Sequence, residues 1–302
     1  MRSGLKLGAF GGGLAVLFGG ALWVGALAAP DTTPPKTAGH EAGGHEAGGH
    51  GEGAHSAAPA KAPGGLQVAE QGISLVPESA TLDPGEKTDF RFSVLGPDGR
   101  PITGYRTEHE KKLHFIVVSR DLGHFQHLHP ELGGDGRWSV PLDLPAAGTY
   151  RAFADFAPDS GPAMTLGVDL FAPGEYRPTL TTTPSRTATV DGYTVSLTGD
   201  LVPGSAGSLT VSVAKDGRPV TDLEPYLGAY GHLVALRGGD LAYLHVHPEA
   251  SAAGPEITFH TEVPSRGDYR LFLDFKHAGT VRTADFTVRA NETTESGHGH
   301  SH

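Results

Sequence analysis

The stretch Leu113-His114-Phe115-Ile116-Val117-Val118-Ser119-Arg120-Asp121-Leu122-Gly123-His124-Phe125-Gln126-His127-Leu128-His129-Pro130 divides at a four-residue break. Leu113 to Ser119 is apolar with a β-branched centre, Arg120 to Gly123 has turn composition, and His124 to Pro130 runs back. With that loop, opposed positions sum to 243, which sets His114 across from His129. Directly opposed residues share a sheet face, and so do residues two apart on one strand. His114, His127 and His129 are therefore expected on one face of one hairpin, within about 5 to 8 Å of each other.

The same pattern returns downstream. Gly99-Arg100-Pro101-Ile102-Thr103 reappears as Gly217-Arg218-Pro219-Val220-Thr221, 118 positions later, and His127-Leu128-His129-Pro130-Glu131 as His245-Val246-His247-Pro248-Glu249 at the same offset. His114 maps to His232, and Tyr150-Arg151-Ala152-Phe153-Ala154-Asp155-Phe156 returns as Tyr269-Arg270-Leu271-Phe272-Leu273-Asp274-Phe275 at an offset of 119. This order and spacing mark an internal duplication. A second hairpin, with Arg237 facing Ala242, is expected to gather His232, His245 and His247.

Around these hairpins the chain reads as short strands fenced by turns: 73–76, 90–94, 113–119, 138–142 and 150–156, then 193–197, 209–213, 232–236, 257–262 and 269–275. The expected fold class is all-β, two tandem immunoglobulin-like or cupredoxin-like β-sandwich modules over 67–173 and 185–290, joined by a linker at 174–184. Gly 44 and Pro 23 among 302 residues agree with short strands rather than long helices.

Ahead of the modules, Arg2 and Lys6 precede an uncharged run from Leu7 to Ala29, so 1–29 is expected to be a signal peptide or membrane anchor. Residues 30–66 form a His/Gly-rich linker with His40, His45, His50 and His55 at five-residue intervals, and with no large apolar residue from 30 to 65 to offset ordering entropy. The tail, 291–302, carries His298, His300 and His302. Both tracts suit weak capture of Cu(II), Ni(II) or Zn(II), or serve as solvated spacers.

Composition closes several chemistries. The formal charge of −11 argues against nucleic acid as a partner. No cysteine is present, which removes disulfides, thiolate zinc, iron–sulfur and blue-copper sites. Met164 is the single methionine after Met1, so a methionine-rich Cu(I) site is excluded as well.

Imidazoles gathered three at a time suit Zn(II), Cu(II) or Ni(II). Candidate metal ligands are His114, His127, His129, His232, His245 and His247, with water, Glu131, Glu249, Asp155 or Asp274 in a fourth position. The bland account makes them core or edge histidines bonded to carbonyls. His109, His124, His260 and His277 have no match between the copies and default to surface positions, with His277 as an outer-shell exception. Arg151 with Asp155, and Arg270 with Asp274, are four apart on a strand and are expected to form structural ion pairs, or else to free the aspartate to orient a histidine.

The run from Leu113 to Leu122, followed by Phe125-Gln126-His127-Leu128-His129-Pro130, resembles secreted bacterial immunoglobulin-like or cupredoxin-like proteins of heavy-metal handling, the YtkA-like group. The resemblance covers the two β modules. It implies a β-sandwich, a periplasmic or cell-surface role, copper as the cargo, and His114, His127, His129 and their second-copy equivalents as ligands.

The expected function is that of an exported, non-enzymatic protein that buffers or delivers copper or zinc outside the membrane. Its expected partners are metal ions, a membrane through the N-terminal segment, and a metal-transport protein. The alternative is a structural or interaction module on a flexible stalk with incidental histidines. A zinc hydrolase stands third, since no G-x-S-x-G motif is present and a bare hairpin face offers little enclosure.

Overall fold

A computed structural model describes residues 62–179, 183–244 and 246–291. The expected signal or anchor segment, most of the linker with its histidines, the tail histidines and His245 lie outside the described residues. Within them the chain is strand and turn, with no helix.

The first module runs β1 (Ala69–Glu70), β2 (Ile73–Pro77), β3 (Thr88–Leu95), β4 (Leu113–Ser119), β5 (Phe125–Leu128), β6 (Glu131–Leu132), β7 (Arg137–Leu142), β8 (Gly148–Phe156) and β9 (Met164–Ala172). The second runs β10 (Thr187–Val190), β11 (Tyr193–Thr198), β12 (Ala206–Lys215), β13 (Arg218–Pro219), β14 (Gly231–Arg237), β15 (Tyr243–Leu244), β16 (Val246–Pro248), β17 (Glu256–Glu262), β18 (Gly267–His277) and β19 (Thr280–Ala290). Each module packs two antiparallel sheets: β1-β2-β3-β7-β6 on β5-β4-β8-β9, and β10-β11-β12-β17-β16 on β15-β14-β18-β19. These are two tandem immunoglobulin-like β-sandwiches.

Alternation builds each core. Phe90, Phe92 and Val94 of β3 and Trp138, Val140 and Leu142 of β7 turn inward to meet Leu113, Phe115 and Val117 of β4. The Phe92 and Phe115 rings stack with centroids 4.7 Å apart. Tyr193, Val195, Leu209, Val211, Phe259, Leu271 and Phe286 fill the second core in the same way.

Strand β4 does not alternate; all seven of its residues are buried. Such a strand must be covered on both faces. Its even-numbered apolar residues, Ile116 and Val118, leave their own core and join Phe153, Val234, Leu236, Leu241 and Phe272 in a third cluster. The modules are thus packed sheet against sheet, with the Phe125 and Phe272 rings stacked at 4.0 Å and 5°. Truncating Phe272 to Ala is expected to cost about 3 to 5 kcal/mol in urea unfolding. A loss under about 1 kcal/mol would show that this contact contributes little to the fold.

The arginines repeated in the two copies, Arg151 and Arg270, do not pair as their four-residue spacing suggests. Arg151 Nη1 binds Asp169 at 3.0 Å, and Arg270 Nη2 binds Asp285 at 2.5 Å, each on the neighbouring strand rather than along its own. Cross-strand neighbours on β9 and β19 lie closer to the guanidinium than a residue four positions, or two pleat repeats, along the same strand. Arg151 also donates to the Gly65 and Leu66 carbonyls, at 2.6 and 3.0 Å. The end of the 30–66 segment is accordingly tied down: Gly65 N–H donates to Thr165 O, and Tyr243 N–H, from the second module, to Gly64 O. Gly65 has φ +75°, and a Cβ there would run into the Phe153 ring.

Candidate metal centre

The β4–β5 hairpin pairs Phe115 with Leu128 and Ile116 with His127, the register whose positions sum to 243. His114 and His127 therefore share the outward face with Ile116 and Val118, the face covered by the second module. His129 follows just beyond β5. One ring nitrogen from each of His114, His127 and His129 lies within 4.8 Å of the other two. The hairpin face is enclosed, because the partner module is its lid.

Hydrogen bonds fix the ring orientations. His114 Nε2–H donates to the Glu108 carbonyl at 3.2 Å, which leaves Nδ1 with its lone pair. His127 Nδ1–H donates to Asp274 Oδ2 at 2.8 Å, which leaves Nε2 with its lone pair. Those two nitrogens face each other 3.1 Å apart. A proton on one of them makes this an N–H···N hydrogen bond, and a metal ion bound to both would hold them at a similar distance. With metal–nitrogen bonds of about 2.0–2.1 Å, two imidazole nitrogens on one ion lie about 2.9 Å apart at a right angle and about 3.3 Å apart at the tetrahedral angle. The observed gap falls between. His129 Nε2 is buried and has no hydrogen-bond partner among the described residues, which fits a nitrogen meant for an ion.

The His127–Asp274 pair crosses from one module to the other, with side chains only 5% and 7% exposed. Asp274 Oδ1 accepts a second bond from Thr283 Oγ1, so the carboxylate is itself held in place. A carboxylate behind a ligating imidazole fixes its tautomer and raises its basicity. Asp155, the other aspartate, lies opposite His114 on β8 and accepts from Thr165 Oγ1.

Burial favours the neutral form of three of the rings, His114, His129 and His232. Burial, followed by the proximity of His127, lowers the His114 pKa to about 4. Burial and the neighbouring His127 and His114 take His129 down to about 3. Burial likewise lowers His232 to about 4, against the opposing bond from its ring to the Tyr226 carbonyl. Neutral imidazole is the ligating form.

The second copy diverges. Arg237 N–H donates to Ala242 O, so this hairpin starts in the expected register. Pairing with β14 then ends at Leu244, and β16 pairs instead with β17 in the other sheet, where His247 lies opposite His260. His247 is exposed, and His260 Nε2 binds Glu249. The cause is one residue. At the position of His260 the first module has Pro141, which has no N–H for the edge ladder toward β6. There the crossing waits until Glu131, which pairs with Ser139, and His129 stays with its triad. His260 permits three more residues of ladder, which carry His247 into the other sheet, where it is exposed at the edge of the cavity lined by His114, His127 and His232.

His232 instead joins the first triplet, its ring centroid 6.4 Å from His114 and 6.3 Å from His127. His109, expected as a surface residue, is exposed but sits beside the cluster, 5.5 Å from the His232 ring and 6.2 Å from that of His114. Its polar surroundings, Glu108-His109-Glu110-Lys111, carry no sequence signal of this placement. His277 lies elsewhere, between Tyr193 Oη and Asp222. Glu131 and Glu249 are exposed.

Solved structures similar to the chain include a DUF4426 family protein from Pseudomonas aeruginosa, at 10% identity over 35% of this chain and 96% of that one, with a TM-score of 0.26. The Escherichia coli adhesin FdeC matches at 14% identity over 74% of this chain and 65% of that one, TM-score 0.24. Domains 5–6 of the S-layer protein SbsC match at 15% identity over 74% and 97%, TM-score 0.23. No curated protein matches the chain. A family model, described as a domain of unknown function, matches twice, over residues 68–177 and 188–292. Those two matches take in both sandwiches and most of the sequence, and the chain accordingly belongs to the DUF8832 family.

Proposed function

We propose that the protein is an exported, non-enzymatic carrier or buffer for a transition-metal ion, copper or zinc, bound between its two modules by His114, His127 and His129. The observation that carries this is the convergence of one ring nitrogen from each of the three histidines within 4.8 Å, with His114 and His127 held by bonds on their far sides and His129 Nε2 buried without a partner among the described residues. The adjoining cavity, lined by His109, His114, His127, Asp155 and His232 among others, has a volume of about 60 Å³. It would take an ion with a water or two, since a water's share of volume is about 30 Å³. Export follows from the N-terminal segment's charge and apolar pattern.

The test is a titration of the full chain, purified without a nickel column, with the seven linker and tail histidines changed to Asn. One tight Cu(II) or Zn(II) site per chain is expected. His127→Ala with His129→Ala should weaken it at least a hundredfold, because a single imidazole of the triad would remain. The competing account is that the buried His127–Asp274 bond is a pin between modules and nothing more. Absence of uptake by the unmutated triad would establish that account instead.

A further inference from the structure

Both modules carry the same tight turn ahead of the buried histidine. In the first, Glu108 and Lys111 exchange backbone hydrogen bonds of 2.8 and 3.0 Å across His109 (φ 48°) and Glu110 (φ 63°). In the second, Tyr226 and Ala229 do so across Leu227 (φ 55°) and Gly228 (φ 77°). Two successive left-handed residues define a type I′ turn, for which Asn and Gly are the usual choices. The turn has the same duty in both copies: its first carbonyl, Glu108 O or Tyr226 O, accepts from Nε2–H of His114 or His232. The copies differ in the residue at the tip. Leu227 is buried at 6% exposure, whereas His109 places an exposed imidazole in a strained position beside two buried ones.

The spacing suits stepwise ligand exchange. With bonds of about 2.0–2.1 Å, two imidazole rings sharing an ion have centroids roughly 4.5 to 6.3 Å apart, depending on the angle between them. His109 and His232 are 5.5 Å apart, and His109 and His114 are 6.2 Å apart. Behind them His114 and the His127 side chain are buried, 9% and 5% exposed, while His129 is half-buried. Exchange through an exposed imidazole keeps an ion coordinated on its way to the buried His114 and His127.

We propose that His109, with His232 behind it, is the entry and exit relay of the site: an incoming Cu(II) or Zn(II) ion is taken first by this outer pair and then passed to His114, His127 and His129. This rests on the metal-binding reading above. The ion's charge and oxidation state do not change, and each step exchanges one imidazole or water ligand for another.

The experiment follows Cu(II) uptake, supplied as its glycine complex, and its removal by a strong chelator in stopped flow, using the full chain with linker and tail histidines changed to Asn. Two variants are compared with that background. His109→Leu installs the residue of the second copy, and His109→Asn keeps a residue suited to the turn while removing the imidazole. Both should slow uptake and removal by the same factor, tenfold or more, with Kd changed less than threefold. A Kd weakened tenfold or more with unchanged uptake would make His109 a resident ligand and overturn the relay. Unchanged rates and Kd would make it a bystander and overturn it equally. Failure of the background chain itself to take up Cu(II) would overturn the metal reading, an outcome distinct from both.

Discussion

Replacing Asp274 by Asn is expected to weaken the proposed Cu(II) site about ten- to a hundredfold, the usual cost of removing a carboxylate behind a ligating imidazole. Asp274 belongs to the second module and the triad to the first, yet its Oδ2 accepts from His127 Nδ1–H at 2.8 Å. The amide oxygen of Asn can still accept that bond and keep His127 Nε2 aimed at His114, so this variant removes charge and leaves geometry. Asp274→Leu removes both and should cost more. Adding either change to His127→Ala should produce little further loss, because the aspartate acts through that ring. Chelator competition gives the affinities. An affinity unchanged in Asp274→Asn would mean that the cross-module bond serves packing alone.

The fold was largely legible because its signals are local. Loop length and alternation set the register of 113–130, and the 118-residue offset in the sequence doubled the module. Strands β9 and β19 were harder to see, since Gly167 and Asp169, or Arg282, Asp285 and Arg289, interrupt their apolar pattern. The site was legible only in its first triplet. The unbroken apolar run Phe115 to Val118, and its counterpart Leu233 to Leu236, were the available sign that these strands are covered on both faces. What covers them is a tertiary fact that no periodicity encodes, and it brings His232 to the first triad rather than to a second. The fate of His247 turned on Pro141 against His260, a difference on a neighbouring strand that hairpin arithmetic does not include.

Acid is expected to destabilise the metal-free protein steeply between about pH 6.5 and pH 4, with the histidine cluster as a principal cause. Burial lowers His114 and His232 to about 4 in the folded chain. In the unfolded chain both return to about 6.5. Above that value both states are neutral and nothing is lost. As pH falls from 6.5, the unfolded chain takes up protons that the folded chain refuses, so the equilibrium moves toward unfolding. Below about 4 the folded rings protonate as well, and the decline from this source levels off. Each proton contributes at most about 1.4 kcal/mol per pH unit. From pH 7 to pH 5.5 the two well-buried rings together should cost roughly 2 to 3 kcal/mol. His129, lowered to about 3 with Lys111 among the charges that disfavour its protonation, acts in the same direction but is partly exposed and adds less. The step from pH 7 to pH 5.5 lies above the ordinary carboxylate range, so Asp and Glu titration contributes little to it. Urea unfolding at half-unit pH steps measures the slope, and His232→Gln should remove close to one proton's share of it. Saturating Cu(II) at pH 7 should add stability by mass action, about 2.7 kcal/mol at a hundred times Kd. That gain should persist to about pH 5 and shrink only toward pH 4 and below, where protons begin to compete for the ligating nitrogens of His114 and then His129 in the folded chain. A flat stability profile between pH 7 and 5.5 would mean that these rings titrate as if exposed, and the enclosed, neutral cluster would have to be abandoned.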